Sequence, residues 1–246
     1  FDKPIGDSNC VGCGQCAAVC PTGAIIIKND SHRLWKELNQ EDTIAVAQVA
    51  PAVRVAVAKE FGYNGENVMG KIVAALRRIG FNYIFDTSTA ADLTVMEESK
   101  EFADRLANGG KLPLFTSCCP AWIKYAENEY PEILPNISTC RSPMQMFASV
   151  INEKFKGEGK KILSVAVMPC TAKKGEAARD EFKDENGKPL VDFVITTQEL
   201  IMMIKEAGIV FNEIEPEAVD MPFGTMTGAG VIFGVTGGVT EAVIRR

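Results

Sequence analysis

The sequence lacks three features that would place its 246 residues in a membrane or on nucleic acid. No apolar stretch approaches the roughly 20 residues that span a bilayer, and no charged segment followed by an apolar one opens the chain. No basic run is interleaved with aromatic residues, and 26 Lys plus Arg against 32 Asp plus Glu give a net charge of −6. We therefore expect a cytoplasmic protein with no membrane insertion and no nucleic-acid partner, whose one histidine, His32, lies on the surface.

Cysteine, in contrast, is plentiful and clustered. Four of the eight cysteines lie within eleven residues, and the others stand at the ends of apparent strands and helices. Disulfides are the alternative, but clustering of this kind favours metal binding. The first four cysteines, Cys10, Cys13, Cys16 and Cys20, are followed by Pro21, which is the C-x2-C-x2-C-x3-C-P spacing of bacterial 4Fe-4S ferredoxins.

This spacing predicts iron-sulfur binding and electron transfer. In two-cluster ferredoxins the fourth cysteine of the run binds the other cluster. Cys10, Cys13 and Cys16 are then expected to hold one 4Fe-4S cubane, and Cys20 to serve a second cluster. Zinc, disulfides or a purely structural cluster are the alternatives.

Five apolar runs are typical of buried strands and alternate with amphipathic helical segments. The runs cover 43–51, 82–87, 112–118, 162–170 and 191–196, and the helical segments cover 67–80, 91–110, 119–130, 172–182 and 197–208. This alternation predicts a parallel α/β sheet. Because ligands collect outside the carboxyl ends of such strands, we expect Pro51, the Cys118/Cys119 pair and Cys170 to meet at one edge.

The motifs "TSCCPAW" (116–122) and "MPCTAKK" (168–174) closely resemble the first two signature motifs of the iron-only (FeFe) hydrogenases. The ferredoxin segment, "VAPAVR", "ADLTVMEE", "STCRSP", "VITTQEL" and "GAGVIFGVTGGV" also follow the order of that family, so the resemblance covers essentially the whole chain. It implies part of a ferredoxin-like 4Fe-4S domain (1–30) before part of an α/β hydrogenase catalytic domain (31–246). The implied active site is the H-cluster, a 4Fe-4S cubane joined to a two-iron unit with CO, cyanide and a dithiolate.

By the same resemblance, Cys119 and Cys170 bind the cubane, and Cys118 passes protons to and from the two-iron unit. Adjacent Cα atoms are about 3.8 Å apart, so a thiol next to a ligand cysteine is necessarily close to the cluster. Lys173, one helical turn after Cys170, is expected to hydrogen bond a cyanide ligand, whereas Lys174 is expected to be solvated. Three further residues are implied to line the two-iron pocket: Pro51, Met168 and Ser142.

Glu98, Glu101 and Arg105 are spaced i, i+3 and i+7 and therefore share one face of a predicted helix. The resemblance implies a proton relay in the order Cys118, Glu98, Ser138, Glu101, Arg105. A solvated helix face is the alternative, and Glu97 is expected to be solvated.

Three positions depart from the pattern expected of monomeric members of the family. Ala52, Met144 and Cys140 stand where serine, glutamine and alanine respectively are common. "APAVR" resembles the multi-subunit, NAD-linked branch. The departures concern fine tuning of the site rather than the family.

The resemblance implies a hydrogenase that oxidises H2 reversibly to protons and electrons, with ferredoxin or NAD-linked redox subunits as electron partners and maturation proteins to supply the cofactor. The third signature motif, which supplies the other two cubane cysteines, is absent from the sequence, so we expect this chain alone to assemble no working H-cluster. A non-catalytic iron-sulfur assembly protein and an H2-sensing homologue are the alternatives.

Overall fold

A four-stranded, all-parallel sheet organises the chain, of which the computed structural model describes residues 4–223 and 227–246. The strands are β1 (Thr43–Val49), β2 (Tyr83–Asp86), β3 (Lys161–Met168) and β4 (Phe193–Thr196), in the order β2-β1-β3-β4. The strands are largely buried, which fits their continuous apolar runs. The predicted parallel α/β class is confirmed.

Helices connect and flank the strands. In chain order they are α1 (Gln15–Ala18), α2 (Ser31–Leu38), α3 (Val53–Glu60), α4 (Met69–Ile79), α5 (Ser88–Ala107), α6 (Pro120–Glu129), α7 (Pro143–Lys154), α8 (Ala172–Ala177), α9 (Thr197–Glu206), α10 (Gly228–Ile232) and α11 (Gly238–Arg245). Short 3-10 helices cover Ile5–Asp7, Pro131–Asn136 and Asp180–Phe182. Within the described ranges, no helix is both long and apolar enough to cross a bilayer.

The helix boundaries have local causes. Proline is the first residue of α6 and α7, where its missing N–H leaves no helical hydrogen bond unmade. The Ser142 hydroxyl caps α7 by accepting from the Gln145 amide, and Thr196 and Glu199 form a capping box on α9. These caps fix where each helix leaves the site edge of the sheet.

The predicted strand over 112–118 is wrong. The structure has only an isolated parallel bridge there, between Phe115 and Ile137. The Phe115 amide donates to the Asn136 carbonyl (2.9 Å), and the Ser138 amide donates to the Phe115 carbonyl (2.7 Å). The apolar run therefore pairs with an irregular segment outside the sheet. The helix predicted over 172–182 is also shorter, because α8 ends at Ala177.

The expectation that Lys174 is solvated is wrong as well. Its ammonium lies 2.9 Å from Asp30 Oδ2 and 3.0 Å from Glu199 Oε1, and it donates to the Val194 carbonyl at 2.7 Å. Burial opposes ionisation of Asp30, but Lys174, with Lys28, outweighs it and holds the Asp30 pKa below its usual value. This ion network ties the start of α2 to α8 and α9.

Candidate functional site

The two cysteine motifs lie side by side. Cys119 immediately precedes α6 and is exposed, whereas Cys170 follows β3, precedes α8 and is half-buried. The Lys173 ammonium joins the motifs by donating to the Cys118 carbonyl at 2.9 Å. This contact places the Cys118/Cys119 pair beside the carboxyl end of β3. The pair does not follow a strand of its own, contrary to the prediction.

A buried carboxylate, Glu176, holds the centre of the site. Its Oε2 lies 2.5 Å from Lys173 Nζ, and its Oε1 accepts a hydrogen bond from the Ser142 hydroxyl. Glu176 is 5% exposed and Lys173 8%, so this ion pair is largely shielded from water. Sequence reasoning missed Glu176, although its position three residues after Lys173 on α8 was the available signal.

Replacing Glu176 with Gln is expected to lower the free energy of unfolding by about 3–5 kcal/mol, because it leaves the buried Lys173 ammonium without a counter-ion. Urea denaturation measures this loss. Glu181→Gln is the matched control: the Glu181 side chain is 53% exposed beside Arg179, and its loss is expected to cost about 1 kcal/mol or less. Equal, small losses in both variants would contradict a stabilising role for the buried pair.

Glu98 on α5 is the buried acid of the predicted relay. It is 1% exposed, its Oε1 accepts from the Ser117 amide at 3.5 Å, and its Oε2 has no partner in the part of the chain that the structure describes. Burial raises its pKa, an effect that Ser138 and the Ser117 amide partly offset. Burial also raises the pKa of the Cys118 thiol to about 11, with Lys173 opposing the shift and Glu98 adding to it.

Glu101 is the outer acid and is held as a carboxylate. Its Oε2 accepts from the Ser138 hydroxyl at 2.8 Å, and its Oε1 lies 2.5 Å from Arg105 Nη2. Burial alone would raise its pKa, but Ser138, Arg105 and the Thr139 amide together lower it. Arg105 also donates to the Ile137 carbonyl at 2.9 Å, which fixes the end of this line of groups near the surface.

The face shared by Glu98, Glu101 and Arg105 therefore turns inward toward Ser117 and Ser138. Glu97, one residue before Glu98, is exposed as expected. Together these contacts make a row of acidic, hydroxyl and guanidinium groups from the Cys118 segment outward.

In the Cys-rich N-terminal loop, Cys10, Cys13 and Cys16 are exposed and Cys20 is half-buried. Gly12 and Gly14 take positive φ values of 71° and 78°, which let the chain reverse between the cysteines. Throughout residues 4–223 and 227–246, no three His, Cys, Asp or Glu side chains are grouped so that they could hold a metal ion. Iron ligation by these four cysteines stays a prediction from their spacing.

This loop packs directly on the second cysteine motif. The Thr171 hydroxyl, one residue after Cys170, donates to the Gly12 carbonyl at 2.6 Å. A Cβ on Gly14 would come within 3.0 Å of the Thr171 hydroxyl oxygen, so the approach is close. The two cysteine-bearing segments therefore share a contact surface.

The remaining predicted pocket residues lie around the same edge. Pro51 follows β1 and is half-buried, Met168 is the buried last residue of β3, and Ser142 is joined to the site through Glu176. His32 is exposed, as predicted, and lies outside the site.

Comparisons with known proteins agree with the motifs. Residues 43–246 match the family described as iron only hydrogenase large subunit, C-terminal domain, and residues 4–26 match the 4Fe-4S binding domain. The chain is 46% identical to the NADP-reducing hydrogenase subunit HndD of Solidesulfovibrio fructosivorans, over 100% of this chain and 44% of that protein. It is 34% identical to the cytosolic iron-sulfur assembly component 3 of Bos taurus, over 88% of this chain and 49% of that protein.

A solved structure of the apo FeFe hydrogenase of Chlamydomonas reinhardtii has the same fold. The TM-score is 0.76 at 39% identity, over 89% of this chain and 57% of that one. The chain thus spans about half the length of the relatives it matches, some of which are hydrogenases and some iron-sulfur assembly components. On its cysteine motifs, its fold and the match over residues 43–246, the chain belongs to the iron-only hydrogenase large-subunit family.

Proposed function

We propose that the protein containing this chain is a hydrogenase that catalyses the reversible oxidation of H2 to protons and electrons at an H-cluster. The observation that carries the proposal is the row of acids beside the cysteine motifs. Buried Glu98 faces the amide of Ser117, the residue before Cys118, at 3.5 Å, and Ser138, Glu101 and Arg105 continue outward through contacts of 2.8 and 2.5 Å. A protein that only stores or transfers iron-sulfur clusters has no need of such a row.

Cys119 and Cys170 would bind the 4Fe-4S cubane. Thiolate is the ligand that iron-sulfur clusters take, and these two adjacent segments supply two of the four that a cubane requires. When bound, the H-cluster supplies the redox chemistry and the cleavage of H2. The residues of this chain hold it, exclude water and move protons.

The proton route begins at the Cys118 thiol, which burial keeps protonated. Glu98, whose burial favours the neutral acid, can take a proton from the thiol side and release it toward Ser138. The Ser138 hydroxyl donates its proton to Glu101, and Glu101, held near the surface by its pairing with Arg105, releases a proton to water. Production of H2 uses the same groups in reverse.

Lys173 is proposed to hydrogen bond a cyanide ligand of the two-iron unit. Glu176 orients its ammonium, and Pro51, Met168 and Ser142 are proposed to complete the wall of the pocket. A charge-assisted hydrogen bond from a buried ammonium suits an anionic ligand.

Electrons are proposed to enter and leave through residues 1–30, as a 4Fe-4S segment separate from the catalytic residues 31–246. The contact between Thr171 and Gly12 brings the two cysteine segments together and supports this path. The electron partner is proposed to be a ferredoxin or an NAD-linked redox subunit in the cytoplasm, and the name of the HndD relative, an NADP-reducing subunit, favours the second.

A non-catalytic role in iron-sulfur assembly is the second candidate, because assembly components are among the relatives. Cys118, Glu98 and Lys173 favour the hydrogenase, since an assembly protein does not exchange protons with a two-iron unit. An H2-sensing homologue would keep all three residues and is distinguished by signalling segments outside this chain.

The test is to produce the full-length protein with the hydrogenase maturation proteins and to measure H2 uptake and evolution together with the infrared spectrum. The hydrogenase proposal expects CO and cyanide bands and turnover in both directions. Iron-sulfur absorbance without those bands would overturn it in favour of the assembly role. Bands with barely detectable turnover would instead favour a sensor.

A further inference from the structure

One carboxylate oxygen of Glu101 has two side-chain donors. Its Oε2 accepts from the Ser138 hydroxyl at 2.8 Å and from the Cys140 thiol, whose sulfur lies 3.7 Å away. The two donors are only two residues apart, and the Cys140 amide in turn donates to the Ser138 hydroxyl at 3.1 Å. Ser138, Cys140 and Glu101 thus form one small cluster.

Cys140 is held there by the first cysteine motif. The Ser117 hydroxyl, one residue before Cys118, donates to the Cys140 carbonyl at 2.5 Å, while the Ser117 amide faces Glu98 at 3.5 Å. Glu98 is near enough for its charge to act on the Cys140 thiol, and its buried Oε2 has no partner among the residues described. Ser117 therefore connects the Cys140 segment to Glu98, while the Cys140 thiol itself contacts Glu101.

Cys140 also lies where two cavities meet. One cavity of about 510 Å³ is lined by Ser117, Ser138 and Cys140, among others, and a second of about 420 Å³ by Glu101, Arg105 and Cys140, among others. A group shared by both cavities is accessible from each side. Burial, with Glu98 and Glu101 adding to it, raises the pKa of Cys140 to about 11, so the thiol keeps its proton near neutral pH.

A hydroxyl relay alone has a weakness that this thiol would correct. A serine hydroxyl carries one proton, so after passing it to Glu101 and receiving another from Glu98, Ser138 must rotate before it can donate again. During that rotation Oε2 of Glu101 would have no hydroxyl donor. A second protonated group on the same oxygen keeps a donor in place.

We propose that Cys140 is a second proton donor to Glu101, acting in parallel with Ser138 to carry protons between Glu98 and Glu101. The inference rests on the proposed function. In the outward step the S–H bond of Cys140 breaks as an O–H bond forms on Glu101. The sulfur regains a proton from the Glu98 carboxyl, so one proton moves from Glu98 to Glu101 and no group changes oxidation state.

The experiment uses the full-length, matured protein with four changes: Cys140→Ala, Ser138→Ala, both together, and Ser138→Ala with Cys140→Ser. One acid–base group contributes about 10²–10⁴-fold to rate, but here each donor can replace the other. We therefore expect turnover to fall by only about 3-fold in Cys140→Ala and about 10-fold in Ser138→Ala. The double change is expected to lose about 10³-fold, well beyond the product of the single losses. Ser138→Ala with Cys140→Ser should regain at least half of the turnover that separates the double alanine variant from Ser138→Ala.

The solvent deuterium isotope effect on turnover gives a second readout. We expect it to increase in Ser138→Ala, and further when Cys140→Ala is added, as proton transfer becomes limiting. A purely structural role for Cys140 would leave these two variants with the same isotope effect. Iron content should stay unchanged in all four variants, and urea denaturation measures the stability lost with the hydrogen bonds of Ser138. Losses that simply multiply, with no rescue by serine, would overturn the role of Cys140 while leaving the relay intact. Full activity in Glu98→Gln and Glu101→Gln would overturn the relay itself, and Cys140 with it.

Discussion

Glu98→Gln is expected to reduce hydrogen turnover of the matured, full-length protein by about 10²–10⁴-fold, because an amide cannot accept and release the proton that a carboxyl carries. The substitution keeps the shape of a side chain that is 1% exposed, so packing is preserved. Gas-phase H2 measurements give the turnover, and infrared bands of the cofactor show that loading is unaffected.

Glu97→Gln is the matched control for this prediction. Glu97 is the adjacent carboxylate on α5 but is exposed, so its replacement is expected to leave turnover within about 2-fold, as for a solvated surface charge. If both variants lose activity equally, the loss comes from a change in charge on α5 rather than from the relay.

The same Glu98 variant has a stability signature whose direction follows from its pKa. Burial makes the Glu98 pKa higher in the folded state than in the unfolded one, so the folded state binds the proton more tightly. The contribution of Glu98 to the free energy of unfolding is therefore full below its unfolded pKa and is lost as pH rises through its folded pKa. Glu98→Gln should remove that part of the pH dependence, which urea titrations at a series of pH values measure.

Cys118→Ala and Cys119→Ala are expected to fail in different ways. Cys118→Ala should keep the 4Fe-4S absorbance and iron content but lower turnover by about 10²–10⁴-fold, because it removes a proton-carrying thiol. Cys119→Ala should lose iron as well as activity, because it removes a thiolate that is proposed to bind the cluster. Iron analysis and visible absorbance separate the two results.

The physical basis of this difference is the position of each thiol. Cys119 is exposed at the start of α6, where a cluster can reach it, whereas Cys118 is half-buried and its carbonyl accepts from Lys173. Cys118→Ser is a useful companion variant, because a hydroxyl keeps a proton but exchanges it less readily than a thiol. Equal iron loss in Cys118→Ala and Cys119→Ala would disprove the division of roles.

The site was predictable where it depends on local spacing. Local spacing relates the cysteines at 10, 13, 16 and 20 within one loop, and it places Glu98, Glu101 and Arg105 on one face of a helix. Both patterns can be recognised from the sequence alone. The roles of Cys118, Ser138 and Lys173 came instead from the resemblance of the motifs. Their ligand and relay functions remain predictions.

The two wrong predictions, the strand over 112–118 and the solvated Lys174, share one cause. In each case the residues contact a segment that the local sequence pattern does not identify. The run over 112–118 has a strand-like pattern, but Phe115 pairs with Ile137 rather than with the sheet. Lys174 looked like a solvated neighbour of Lys173, yet it meets Asp30, which is 144 residues away. Apolar periodicity reports whether a segment is buried and does not say which segment covers it.

The sequence by itself determined the alternation of strands and helices, hence the parallel α/β sheet, and the cysteine spacing that points to iron-sulfur chemistry. Only the tertiary structure decided that Glu176 holds Lys173 and Ser142, that Thr171 meets Gly12, and that Cys140 shares an oxygen of Glu101 with Ser138. The physical reason is that periodicity is set by neighbours along the chain. Hydrogen bonds and ion pairs between separate segments depend on how folding brings those segments together.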